Sequence, residues 1–188
     1  PKDRYNLWYA LLGFSFAVYL SNFFATDIPG FMALDLSYLA FQKIVFAALN
    51  LSLLALGLFV SAFLERREPE WLRHGFVALM LAIIVLFLGA PDFRTLQLFR
   101  SAHPLMCLVP ALFLTIVLIR ASLRKQEGVG SVLIGLFPLF CAALFDLVVR
   151  DVMRIPGFYL TSLGVPAFIV AILFILSIRF VHIANEED

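Results

Sequence analysis

Long apolar runs alternate with short clusters of charge along this chain, and the charges do not recur along helical faces as they do in helices that border water. A helix needs about 20 apolar residues to cross a hydrocarbon core of roughly 30 Å. The pattern predicts spans over residues 5–24, 39–64, 75–88, 104–119, 131–149 and 159–180. The third and fourth are short, and the connection 89–103 between them contains Phe93, Leu96, Leu98 and Phe99. Either neighbouring helix extends into that connection or it lies on the membrane interface. The expected fold is an all-α, polytopic transmembrane helical bundle of about six helices. It occupies residues 1–184, with 185–188 beginning a cytoplasmic helical linker.

Orientation follows from Lys and Arg, which are retained on the cytoplasmic side. One alternating set of loops carries Lys2, Arg4, Arg66, Arg67, Arg73, Arg120, Arg124, Lys125 and Arg179. The opposite set carries only Arg94, Arg100, Arg150 and Arg154. Both termini are therefore expected in the cytoplasm.

Composition strengthens the membrane reading. Hydrophobic residues make up 63% of the 188, where soluble domains hold roughly 45–50%. The net charge is +1, with basic residues divided among several loops, which excludes a nucleic-acid-binding surface. Cys107 and Cys141 both lie in apolar runs, where a thiol behaves as a small hydrophobe, and this argues against a disulfide framework. The sequence opens on Pro1 without a signal-peptide pattern, and residues 185–188 continue a helical pattern without a cap, so a piece of a longer protein is expected.

Ionisable groups inside a membrane cost about 2.5–3.5 kcal/mol at the helix centre and call for a partner or a wet path. Lys43 lies about five residues from the outer end of the second span and Asp146 about four from that of the fifth, so both sit roughly 6–8 Å below the outer surface. One reading pairs them, joined by Asn22 near the outer end of the first span, and pins three helices together. The other has Lys43 snorkel to the interface while Asp146 is capped locally by water. Asn50, near the middle of the second span, is expected to hydrogen-bond across helices. Asp27, Asp35, Asp92 and Asp151 read as solvated charges near the outer face. Pro110, Pro138 and Pro166 each remove a backbone donor and mark expected helix kinks, either fixed or hinged.

No catalytic constellation emerges. His74, His103 and His182 fall at helix ends or loops, not paired at mid-membrane as a haem would need, and no HExxH or Cys and His zinc spacing occurs. The glycines around Ser131 lack a partner histidine in a later helix at matching depth. No cofactor is expected.

The opening KDRYNLWYALLGFSFAVYLSN, residues 2–22, has a charged turn with Asp3 and Arg4 followed by Tyr5, Trp8 and Tyr9 entering the membrane. Near the other end, GVGSVLIGLFPLFCAALFDLVVRDV carries Asp146, Gly164 precedes the final span, and the chain leaves as ILSIRFVHIANEED. These segments resemble the second helix and the last two helices of bacterial seven-transmembrane receptors with diverse intracellular signalling modules. The resemblance implies that the six spans are the second to seventh of such a receptor, in a bacterial inner membrane. It further implies an extracytoplasmic ligand-binding domain before them and a cytoplasmic output module after them, such as a histidine kinase, a cyclase or a phosphatase.

The leading expectation is a sensor and transducer with no catalysis of its own, set in the lipid bilayer and open to homodimerisation through its exit helix. The alternative is a small transporter or channel component, which the intramembrane Lys43, Asn50 and Asp146 and the proline-bearing helices also suit.

Overall fold

In lipid every backbone polar group must find its partner within the segment, so apolar runs of this length fold as helices. The computed structural model describes residues 4–24, 37–64, 68–125, 129–146 and 170, and among them there are six helices and no strand. They are α1 (Arg4–Phe24), α2 (Tyr38–Phe63), α3 (Glu70–Leu88), α4 (Phe93–Met106), α5 (Leu108–Leu123) and α6 (Val129–Asp146). The predicted span 159–180 lies outside the described residues, except for Val170, which is helical. So do Pro166, the linker at 185–188 and the connection carrying Asp27 and Asp35. The chain divides into two compact units, Pro1–Arg124 and Lys125–Asp188.

In the first unit α2 is the hub. It packs along α1 and also touches α3 and α5, while α3 and α5 touch one another and α4. Ser37 caps α2, its hydroxyl accepting the Ala40 N–H at 3.2 Å, and most of the helix that follows is buried. The outer helices bury one face and present Leu79, Val85, Leu112 and Ile119 outward, as lipid contact requires. Gly57 admits the closest approach: the Phe76 ring of α3 lies against it and stacks on Phe113 of α5 with centroids 4.0 Å apart and planes 6° from parallel.

Three predicted boundaries need correction. The third span starts at Glu70, not 75, because Pro69 enters with extended dihedrals and its carbonyl accepts the N–H groups of Leu72 and Arg73. Hydropathy registers the apolar core of a helix and misses a polar first turn. The 89–103 connection is mostly helix: Asp92 caps α4 through the Thr95 N–H at 2.7 Å. The fourth span is displaced to Leu108–Leu123, following a break at Cys107.

Pro110, an expected kink, lies three residues after the break at Cys107. Pro110 occupies the first turn of α5, where a missing N–H opens no internal bond. Pro138 lies in the interior of α6, which is helical on both sides of it. At the other end of α5, Lys125 takes a left-handed conformation with φ 49°, which ends the helix.

Together α4 and α5 cover Phe93–Leu123, 31 residues, or about 46 Å at 1.5 Å per residue. That exceeds the roughly 30 Å hydrocarbon core. The α4 end, with Arg94 and Arg100 exposed, therefore stands at or beyond the membrane surface.

Candidate functional site

Buried polar side chains lie at two levels along α2, near its middle and at its α3 end. Midway, Ser15 of α1 and Ser52 of α2 meet with their hydroxyl oxygens 3.0 Å apart. Each also donates to its own helix, Ser15 to the Leu11 carbonyl at 2.7 Å and Ser52 to the Ala48 carbonyl at 2.8 Å. A hydroxyl has one proton and two lone pairs, so the cross-helix contact is made by sharing.

At the end of α2 nearest α3, the Ser61 hydroxyl donates to Glu68 Oε1. Arg73 Nη1 of α3 lies 3.9 Å from the same oxygen. The Glu68 side chain is 1% exposed and that of Arg73 21%, so a buried carboxylate joins the tail of α2 to the head of α3.

Two residues from Ser52, Asn50 donates from Nδ2 to its own helix at the Phe46 carbonyl, 2.8 Å away, and turns Oδ1 to His103 Nε2 at 3.3 Å. Cys107 Sγ lies against the His103 ring, 3.6 Å from Nδ1 and 3.9 Å from Nε2. Aromatic rings enclose the imidazole: Phe46 and Phe87 stand edge-on to it at centroid distances of 6.0 and 5.6 Å, and they stack on each other at 5.1 Å. Beneath them Phe87, Ala90 and Leu96 form a buried cluster with Leu39, Phe99 and Met106 against it. The Arg100 guanidinium sits 5.9 Å from the centre of the Phe46 ring.

Of the predicted polar residues, the structure gives Asn50 the partner just described. Lys43 is half-buried on α2, two turns before Asn50 and on the same helical face. Asn22 lies in α1 and Asp146 ends α6, but their side chains are outside the described residues, and with them the proposed three-helix pin. Among the described residues no group of three or more His, Cys, Asp or Glu side chains is arranged to hold a metal ion.

At the capped end of α4, Asp92 is fully exposed, and the Thr95 N–H it accepts holds its carboxyl below the usual carboxylate range.

The family model described as 7TM diverse intracellular signalling matches residues 2–181. The chain belongs to this family. It is a multi-pass membrane protein, and the 7TM diverse intracellular signalling domain it forms is the transmembrane sensor region of a signalling receptor. No curated protein and no solved structure matches it.

Within this 7TM domain, Ser15, Ser52 and Glu68 carry no mark along the chain of the partners they find, nor does the chain join His103 and Cys107 to Asn50. Only the spacing of His103 and Cys107, four residues apart, was a usable local signal, because such pairs share a helical face.

Proposed function

We propose that this chain is the membrane transducer of a bacterial inner-membrane receptor. Both termini lie in the cytoplasm, and an extracytoplasmic event is relayed through the bundle to a cytoplasmic output module after the last span. The chain catalyses no reaction itself. The observation that carries this reading is the match to the 7TM signalling family over residues 2–181.

The bias of Lys and Arg supports the orientation. The bundle's construction supports a relay: α2 touches α1, α3 and α5 and carries buried polar contacts to α1 and α4. Packed helices joined by discrete hydrogen bonds switch between arrangements instead of deforming smoothly. A ligand-binding domain before the first span and a homodimeric exit helix complete the proposed receptor.

The test joins topology to gene context. Reporter fusions placed after Lys2, in the 25–36 connection and after Asp188 are expected to read cytoplasmic, extracytoplasmic and cytoplasmic. The coding sequence following Asp188 is expected to specify a kinase, cyclase or phosphatase. Opposite fusion readings reject the orientation, and a transport-protein domain or a stop codon there rejects the transducer.

A further inference from the structure

The length of α4 and α5 fixes a depth in the membrane. Arg100 precedes Arg120 by about 30 Å of helix at 1.5 Å per residue, and the hydrocarbon core is roughly 30 Å thick. With Arg120 in the last turn of α5 at one surface, Arg100 stands where the core gives way to headgroups at the other. Tyr38 and Phe93, at the heads of α2 and α4, touch with ring centroids 5.7 Å apart, so both helices enter from that same surface. The Arg100 side chain is exposed, and its guanidinium sits 5.9 Å from the centre of the Phe46 ring on α2. Lys43, one turn before Phe46 and nearer the surface, shares the α2 face from which Phe46 and Asn50 contact α4. Two cations on neighbouring helices thus lie about one turn apart in depth at the edge of the lipid core.

Neither cation has a counter-charge. Among the described residues no carboxylate lies within ion-pair distance of Lys43 or Arg100, and the N–H donors of Arg100 find no hydrogen-bond acceptor. A cation within the membrane boundary calls for a partner or a wet path, and two near one another raise the demand, since each repels the other. A phosphate meets both needs: a guanidinium binds it through paired N–H donors, and an ammonium adds a point charge. We propose that Lys43 and Arg100 form a binding site for the phosphate of an anionic phospholipid.

The surroundings favour a lipid over a soluble anion. The exposed side chains inward of Arg100 include Leu105, Leu108 and Leu112, whose spacing sets them on one stripe that acyl chains can follow. A phospholipid carries its own phosphate to the level of Arg100, whereas a free anion must leave bulk water to reach it. Arg94, exposed about 9 Å further out on α4, extends the positive field into the headgroup layer. The bound phosphate bridges α2 and α4, so the anionic lipid content of the leaflet sets how firmly the two helices are held at this surface. The site stands apart from the transducer reading, and only its assignment to the extracytoplasmic leaflet rests on the orientation proposed above.

The whole chain is delipidated in detergent and given an equimolar mixture of phosphatidylglycerol and phosphatidylcholine with matched acyl chains, and retained lipid is counted by native mass spectrometry. The first lipid retained is expected to be phosphatidylglycerol by at least about tenfold, and Lys43→Met and Arg100→Gln should each lower that preference about fivefold, the share of one basic residue at an anionic surface. Arg100→Lys, which keeps the charge, should retain most of the preference and so separates loss of charge from loss of fold. Arg124→Gln, at the opposite surface, should leave it unchanged. Equal losses in Arg124→Gln and Arg100→Gln would assign the preference to overall charge and overturn the site, as would the absence of any preference in the parent chain. Displacement of the lipid by millimolar inorganic phosphate would assign the site to a soluble anion and overturn the lipid. A rise in preference on Asp146→Asn would give Lys43 a carboxylate within the chain and overturn its part in the site.

Discussion

The carboxylate of Glu68 accepts a hydrogen bond from Ser61, seven residues earlier, and the two are buried together where α2 gives way to α3. Arg73 stands 3.9 Å from the same oxygen. Hydrogen bonds to charged groups contribute about 1.5–3 kcal/mol, and removing the acceptor leaves its donors unpaired. Glu68→Leu should therefore lower stability by about that amount in an SDS-unfolding titration. Glu68→Gln, which keeps an acceptor oxygen, should fall between Leu and the parent. Equal stability of all three would show that water already serves Ser61 and Arg73.

Gly57 is required by a ring. A Cβ there would lie 2.6 Å from Cζ of Phe76, and Phe76 is buried and stacked on Phe113, so it cannot step aside. Gly57→Ala should cost about 1–3 kcal/mol, as overpacking of a filled core does. Adding Phe76→Leu should recover part of that loss, whereas Phe76→Leu alone should destabilise. The sign of this coupling, read from the four-member cycle, is the check.

Ser15 and Ser52 join α1 to α2, the most extensively packed pair of described helices. Hydrogen bonds between membrane helices average about 0.6 kcal/mol. A cycle of Ser15→Ala and Ser52→Ala should return a coupling near that value. Zero coupling would assign each serine's stabilising effect to its own helix carbonyl.

Asp92 makes one end of the fold sensitive to acid. Its folded-state carboxyl titrates below the unfolded value because the charged form accepts the Thr95 N–H. The cap is therefore fully present above the unfolded pKa and is lost as pH falls through the folded one. Amide exchange at Thr95 and Leu96 should stay slow from pH 7 down to the usual carboxylate range and accelerate below it. Asp92→Asn, which caps without titrating, should abolish the step. A step surviving in that variant would place its origin elsewhere.

The spanning helices were legible because their signal is additive: twenty apolar positions outvote any local irregularity. Helix α4 was not, since a search for spans discounts Arg94, Gln97 and Arg100, although these residues lie on the exposed side of a helix whose other side buries Leu96. The Asp92 to Thr95 spacing was its readable mark. Glu68 stands within a charged cluster, Glu65 to Glu70, where solvation is the reasonable default, and burial there depends on a fold that the neighbouring residues do not encode. Ser15 and Ser52 are small hydroxyls in apolar runs, and each can satisfy itself on its own helix, so nothing along the chain announces a partner 37 residues away. Asn50 announced a need for a partner, being an amide in lipid, yet His103 looked like part of a loop until α4 gave it a helix to stand on.

The distance between Asn50 and His103 in the chain also sets an order of assembly. They are 53 residues apart, which at the usual pace of synthesis is roughly 3–10 s between the appearance of one and the other. Ser52, facing α1, has its neighbour as soon as it enters the bilayer; Asn50 arrives with its partner still unmade. During that interval its amide hydrogen already has the Phe46 carbonyl, one turn back on its own helix. Only the oxygen is left wanting, and that is the atom which receives His103 when α4 comes into place. An α1–α2 hairpin formed first and closed by the later helices is the order of assembly expected from these contacts, with Asn50 half satisfied in advance.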